Sequence, residues 1–155
     1  MNSRVPKRIV LMSACLTGLR TRYDGSSRPH PLLDYISKNC IVVQVCPETL
    51  GGMGIPRPAS RFMGGDGTAV LRGNARVEDA FGKDRTPEFV RGAEETLAML
   101  RLVGPELIIF KEGSPSCGVR RIDLAGAKTA GVGVATALLS TTGIPIITEE
   151  DELPF

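Results

Sequence analysis

Four short, nearly all-apolar runs, at residues 8–14, 41–45, 107–110 and 144–148, predict a three-layer α/β domain on a mostly parallel sheet. Runs of that length without alternation suit strands covered on both faces. The segments between them carry helical periodicity or helix-start chemistry, so strands and helices alternate, and right-handed crossovers then lay the strands parallel. At 155 residues, with 42% hydrophobic and 23% charged side chains, the chain fits one domain spanning 1–155 with a substantial core.

The first strand, RIVLMSA, is followed by a polar, glycine-containing loop through Gly25. Residues 31–39, PLLDYISKN, predict a short helix with Leu32, Leu33 and Ile36 on one face. The β-branched second strand, Ile41 to Val45, leads into a Gly/Pro-rich stretch, 47–67, too long for a plain connection. Thr68 to Val77 alternates around Gly73-Asn74 and predicts a small β-hairpin insertion. Thr86-Pro87-Glu88 starts a helix reaching about Val103, with Phe89, Ala93, Leu97 and Leu100 as its buried stripe and Gly104-Pro105 as its stop. A third strand at 107–110, the KEGSPSCG turn, a small-residue helix at 132–140 and a fourth strand at 144–148 complete a Rossmann-like domain. No internal repeat or low-complexity tract is present.

A net charge of +2 is too small to imply nucleic acid, and no stable nucleic-acid complex is expected. Arg20, Arg22, Arg28, Arg57 and Arg61 gather in the first third, either as a solvated surface or as forks for an anionic or polar ligand. No run approaches the roughly 20 apolar residues of a membrane span, so no membrane partner is expected. The basic start could be weighed as a leader, but its apolar run is interrupted by Ser13 and reads as a strand of a cytoplasmic protein. Four cysteines could form two disulfides; nothing else looks secreted, and reduced thiols are expected.

Cys15, Cys46 and Cys117 each follow a predicted strand, and the carboxyl edge of a parallel sheet is where α/β proteins keep ligands. Cys40 stands at the start of a strand, the opposite end, and reads as structural. Three thiolates suit zinc, copper(I) or an iron–sulfur cluster and leave one coordination position open. His30, the lone histidine, is either an exposed residue of a Pro-flanked loop or the fourth ligand of a zinc site. Glu48, two residues beyond Cys46, is either a surface carboxylate at a helix start or a general acid/base. Asp24 is a turn residue or a polar group reaching the pocket, and Ser114 and Ser116 offer hydroxyls to sulfide or substrate.

The segments SACLTGLRTRYDG, CPETLGGMGIPRP, KEGSPSCG and GVGVATALLSTTGI resemble, in order and context, the TudS-like thiouracil desulfidases. The resemblance runs from about Ile9 to Glu149. It implies an oxygen-sensitive [4Fe-4S] cluster held by Cys15, Cys46 and Cys117, whose open iron captures the sulfur of a thiolated base. Water then takes its place at the ring carbon, so 2-thiouracil becomes uracil and hydrosulfide leaves without net electron transfer. On the same resemblance Glu48 is the proton-transfer residue and Ser114 a polar contact to substrate or cluster. The chain departs from the family pattern at Ser60-Arg61 and at Leu50, where acidic residues are expected.

The sequence thus predicts a cytoplasmic desulfidase acting on a small thiolated pyrimidine base or nucleoside. Its rivals are a non-catalytic iron–sulfur or sulfur carrier, and a thiol enzyme using one cysteine as nucleophile with zinc or no metal.

Overall fold

A computed structural model describes residues 5–155; residues 1–4 lie outside it. Strands β1 (Arg8–Ser13), β2 (Cys40–Val45), β5 (Leu107–Phe110) and β8 (Ile146–Thr148) form one sheet in the order β2-β1-β5-β8. Every pairing in it is parallel, with β1 and β2 in register from Arg8↔Cys40 to Ser13↔Val45. Alternation along these strands sorts their side chains between two cores. Leu11, Val45, Ile108 and Phe110 enter one core, Val10, Met12, Cys40, Leu107 and Ile109 the other.

The first core is roofed by α4 (Thr86–Val103) and α5 (Val134–Leu139); the second by α1 (Leu33–Asn39), through Ile36, and the C-terminal Leu153 and Phe155. These are the three layers of a Rossmann-like α/β fold. Each fully buried Leu, Ile or Phe stabilises it by about 1.5–3 kcal/mol relative to exposure.

α2 (Pro47–Leu50) packs on α4 backbone to backbone. A Cβ placed on Gly51 would sit 2.0 Å from the Glu88 carbonyl oxygen, and one on Gly92 would sit 2.0 Å from that of Pro47. This contact turns the buried stripe of α4 toward Phe89, Gly92, Ala93, Thr96 and Leu100, leaving Leu97 only partly covered. The helix ends as expected at Gly104, in the left-handed conformation with its N–H on the Leu100 carbonyl. Thr86 is not its cap; its hydroxyl accepts the Val77 N–H instead, at 2.9 Å.

The expected hairpin at 68–77 is replaced by a helix and a strand. α3 (Gly67–Leu71) forms because Asp66 caps it, its Oδ1 accepting from the N–H groups of Thr68 and Ala69. One turn of helix satisfies the same short alternation, and Gly73-Asn74 only leads the chain out of it. The β partner of β4 (Arg76–Asp79) is β3 (Ser60–Met63), within the stretch expected to be loop. These two strands join β6 (Arg121–Leu124) and β7 (Ala127–Ala130) in a second four-stranded sheet, order β4-β3-β6-β7. The β6–β7 hairpin turns through Ala125 (φ 51) and Gly126 (φ 91), the left-handed pair that a two-residue hairpin turn requires. Among the described residues no helix is long and apolar enough to cross a membrane.

Candidate active site at the carboxyl edge of the parallel sheet

Three consecutive positions across the sheet deliver the three thiols. β1 runs into a 3₁₀ turn, Ala14–Thr17, that carries Cys15. β2 ends at Cys46, the residue that opens α2 ahead of Pro47. β5 leads to the turn that carries Cys117. All three line one cavity of about 510 Å³, closed on its far side by Ser60, Ile122, Asp123 and Lys128 of the second sheet. Cys15 and Cys117 are buried, Cys46 is partly exposed, and all four cysteines are free. Cys40 is buried at the opposite end of the sheet, level with Arg8, as a structural cysteine would be.

The Cys117 turn is wound around a carboxylate. Glu112, fully buried, accepts through Oε1 from the N–H groups of Gly113, Val119, Arg120 and Arg121 at 2.9–3.1 Å. Burial pushes its carboxyl pKa up, the four backbone donors pull it down, and the donors win. From below, α5 holds the same turn. The N–H groups of Val134 and Ala135 donate to the carbonyls of Pro115 and Ser116 at 3.0 and 2.9 Å, and the Thr136 hydroxyl donates to that of Cys117 at 3.0 Å. Gly133 permits this approach, since a Cβ there would lie 2.4 Å from the Ser116 carbonyl carbon. This contact is the physical content of the GVGV segment.

Glu48 projects from α2 into the cavity between two partners. Arg57 Nε donates to its Oε1 at 3.2 Å, and the Ser116 hydroxyl donates to its Oε2 at 3.1 Å. Ser114 Oγ lies 3.1 Å from Ser116 Oγ and accepts the N–H groups of Ser116 and Cys117. The thiols have hydroxyl neighbours as well: Thr49 donates to Cys46 Sγ at 3.1 Å and Ser116 is 3.7 Å from Cys117 Sγ.

Burial pushes the Cys15 thiol up to about 11, Cys46 adding to the shift and Lys111 and Arg22 opposing it. Cys117, buried, is driven further above the ordinary thiol range by desolvation, with the nearby hydroxyls of Ser13 and Ser116 opposing the shift. Without a cation both are neutral thiols. A bound metal would take the place of their protons.

Of the residues singled out in the sequence, the cavity gathers Cys15, Cys46, Glu48, Ser114, Ser116 and Cys117. Asp24 does not line it: its Oδ1 is turned onto the Ser26 N–H and hydroxyl in a local turn, and Arg22 and Tyr23 line the cavity in its place. His30 is also elsewhere, buried, its Nδ1 accepting the Leu32 N–H at 2.9 Å. Among the described residues no three of His, Cys, Asp or Glu are grouped to hold a single metal ion, so His30 completes no zinc site, and it is buried rather than exposed.

The arginine cluster disperses. Arg22 and Arg57 reach the cavity while Arg61 pairs with Glu78 away from it. Leu50 packs on the core, and Ser60 stands in the cavity wall with no hydrogen-bond partner for its hydroxyl. Sequence reasoning passed over Arg57 and Glu112 as individuals. Their signals were present, in the PRP that follows CPETLGG and in the Glu that precedes GSPSCG.

Residues 10–151 match the family model for 2-thiouracil desulfurase. The chain is 37% identical over 146 residues to the uncharacterized protein YbbK of Bacillus subtilis (strain 168), covering 92% of this chain and 97% of YbbK. It is similar as well to a solved structure, the [4Fe-4S]-dependent thiouracil desulfidase TudS, with a TM-score of 0.78 and 38% identity over 96% of this chain and 94% of that one. With the family model matched over nearly its full length, this chain belongs to the 2-thiouracil desulfurase family.

Proposed function

We propose that the protein is a cytoplasmic desulfidase, acting as a single domain, that converts 2-thiouracil or a related thiolated pyrimidine to the oxo base and hydrosulfide. The observation that carries this reading is the joint placement of Cys15, Cys46, Cys117 and Glu48 on one cavity of about 510 Å³. That volume is in the range that encloses a small heterocycle.

The donor set fits a [4Fe-4S] cluster. Three free thiols come from three separate strand ends, hydroxyls of Thr49 and Ser116 stand beside two of the sulfurs, and no third group completes a single-ion site among the described residues. Cys15, Cys46 and Cys117 would hold it, as the three-cysteine chemistry of soft donors suggests. When bound, the cluster supplies an open iron, a Lewis acid for a thiocarbonyl sulfur.

The chain's own residues handle the protons. Ser116 has one hydroxyl proton and gives it to Glu48 Oε2, so Ser114 must be the donor across the 3.1 Å between the two serines. The result is a directed relay, Ser114 to Ser116 to Glu48. Glu48 at its end takes a proton from the attacking water and returns it to the departing sulfur. One water is consumed for each sulfur released, and no electron changes hands. Burial of two of the three thiols favours this reading over a carrier, which must present its cargo to a partner.

Anaerobic reconstitution tests the proposal. A brown protein with about four irons per chain should release hydrosulfide from 2-thiouracil. Iron-free protein with full activity would overturn it.

A further inference from the structure

We propose that Arg57 is a positioning residue that fixes the Glu48 carboxylate. The inference rests on the desulfidase reading and on Glu48 as its proton carrier. It begins with a guanidinium only 5% exposed, each of whose three nitrogens donates a hydrogen bond. Nε donates to Glu48 Oε1 at 3.2 Å, Nη1 to the Gly54 carbonyl at 3.1 Å, and Nη2 to the Thr21 carbonyl at 2.9 Å. Its backbone N–H adds a fourth bond, to the Tyr23 carbonyl at 2.8 Å.

The acceptors outside its own loop come from two parts of the site. Thr21 and Tyr23 lie on the loop that follows Cys15, and Glu48 lies on the helix that follows Cys46. Through Glu48 Oε2 the connection passes to Ser116 and the Cys117 turn. Among the described residues Arg57 hydrogen-bonds to none of the cysteines; it acts through Glu48. With one carboxylate oxygen occupied by the guanidinium, only Oε2 is left to receive the serine relay. A planar fork can satisfy these directions at once, and an ammonium cannot.

Four reconstituted proteins test this: wild type, Arg57→Lys, Glu48→Gln and the double variant. Arg57→Lys should load iron like wild type, keep KM within about threefold and lose at least about tenfold in kcat. In the Glu48→Gln background the same change should cost little more, because its partner is already disabled. Melting temperatures of the four should be non-additive in the same sense.

Wild-type kcat in Arg57→Lys, or multiplying effects in the double variant, would overturn the proposal. So would iron loss from Arg57→Lys, which would assign the side chain to the metal centre rather than to Glu48. If wild type releases no hydrosulfide, the desulfidase reading fails. The melting cycle then decides the clamp alone, non-additivity supporting it and additivity overturning it.

Discussion

Glu48 and Ser116, 68 positions apart in the chain, meet at 3.1 Å, the serine hydroxyl donating to the carboxylate Oε2. This bond spans the cavity from the helix after β2 to the turn after β5 and makes two of the three cysteine segments parts of one hydrogen-bonded unit. On the proposed reading, acid–base chemistry and metal ligation would share a single frame.

Removing the carboxylate without changing its shape separates those two duties. Glu48→Gln should keep its iron, since glutamine still accepts from Ser116, while kcat falls about 100-fold or more. Ser116→Ala, which cuts the relay but leaves the carboxylate, should fall less, about tenfold. Iron content and single-turnover hydrosulfide release on the same preparations measure both.

Replacing any one of Cys15, Cys46 or Cys117 by alanine should abolish the visible absorption and the bound iron, all three to the same extent. Cys40→Ala should load normally, because that thiol lies buried at the far end of the sheet; its cost is about 1 kcal/mol of packing, read from denaturant unfolding.

Glu112 is the residue on which the Cys117 turn depends. Glu112→Ala leaves four backbone N–H groups without their acceptor and should destabilise the protein by about 3 kcal/mol or more. Its folded pKa lies below the ordinary value. The stability it adds is therefore present above the unfolded carboxyl pKa, about 4.3, and is lost as pH falls through the lower, folded value. Thermal melting between pH 7 and pH 3 should show a steeper acid loss for wild type than for Glu112→Gln.

Gly92→Ala should be severe despite its size. The new methyl group would meet the Pro47 carbonyl and push α2 away from α4, carrying Cys46 and Glu48 with it. A loss of about 3 kcal/mol or more is expected, with reduced iron loading. Leu102→Ala, at an 87% exposed position on the same helix, should stay within about 0.5 kcal/mol of wild type.

The parallel sheet and the gathering of three cysteines at its edge were legible because buried strands leave an apolar signature and cysteines after them stand out. Positions that depend on long-range partners were not. Arg57 looks like any loop arginine until Thr21, Gly54 and Glu48 are brought around it. Asp24 had turn chemistry from the start, and the local bond to Ser26 prevailed over a reach into the pocket. The alternation at 68–77 was real but too short to tell one turn of capped helix from a strand, and Asp66 decided it. Nothing local distinguishes Leu97 from Gly92 as the buried side of α4; the partner helix does.

The grip of α5 on the Cys117 turn also orders events in time. A chain made from its N terminus presents residues 112–118 well before Val134, Ala135 and Thr136 exist to receive their carbonyls. Cys15 and Cys46 can reach their strand ends early, but the third thiol finds its place only when nearly the whole sequence has been synthesised. On the proposed reading, iron delivery would be an act on finished protein, and a chain truncated before α5 would offer two fixed thiols and one wandering one.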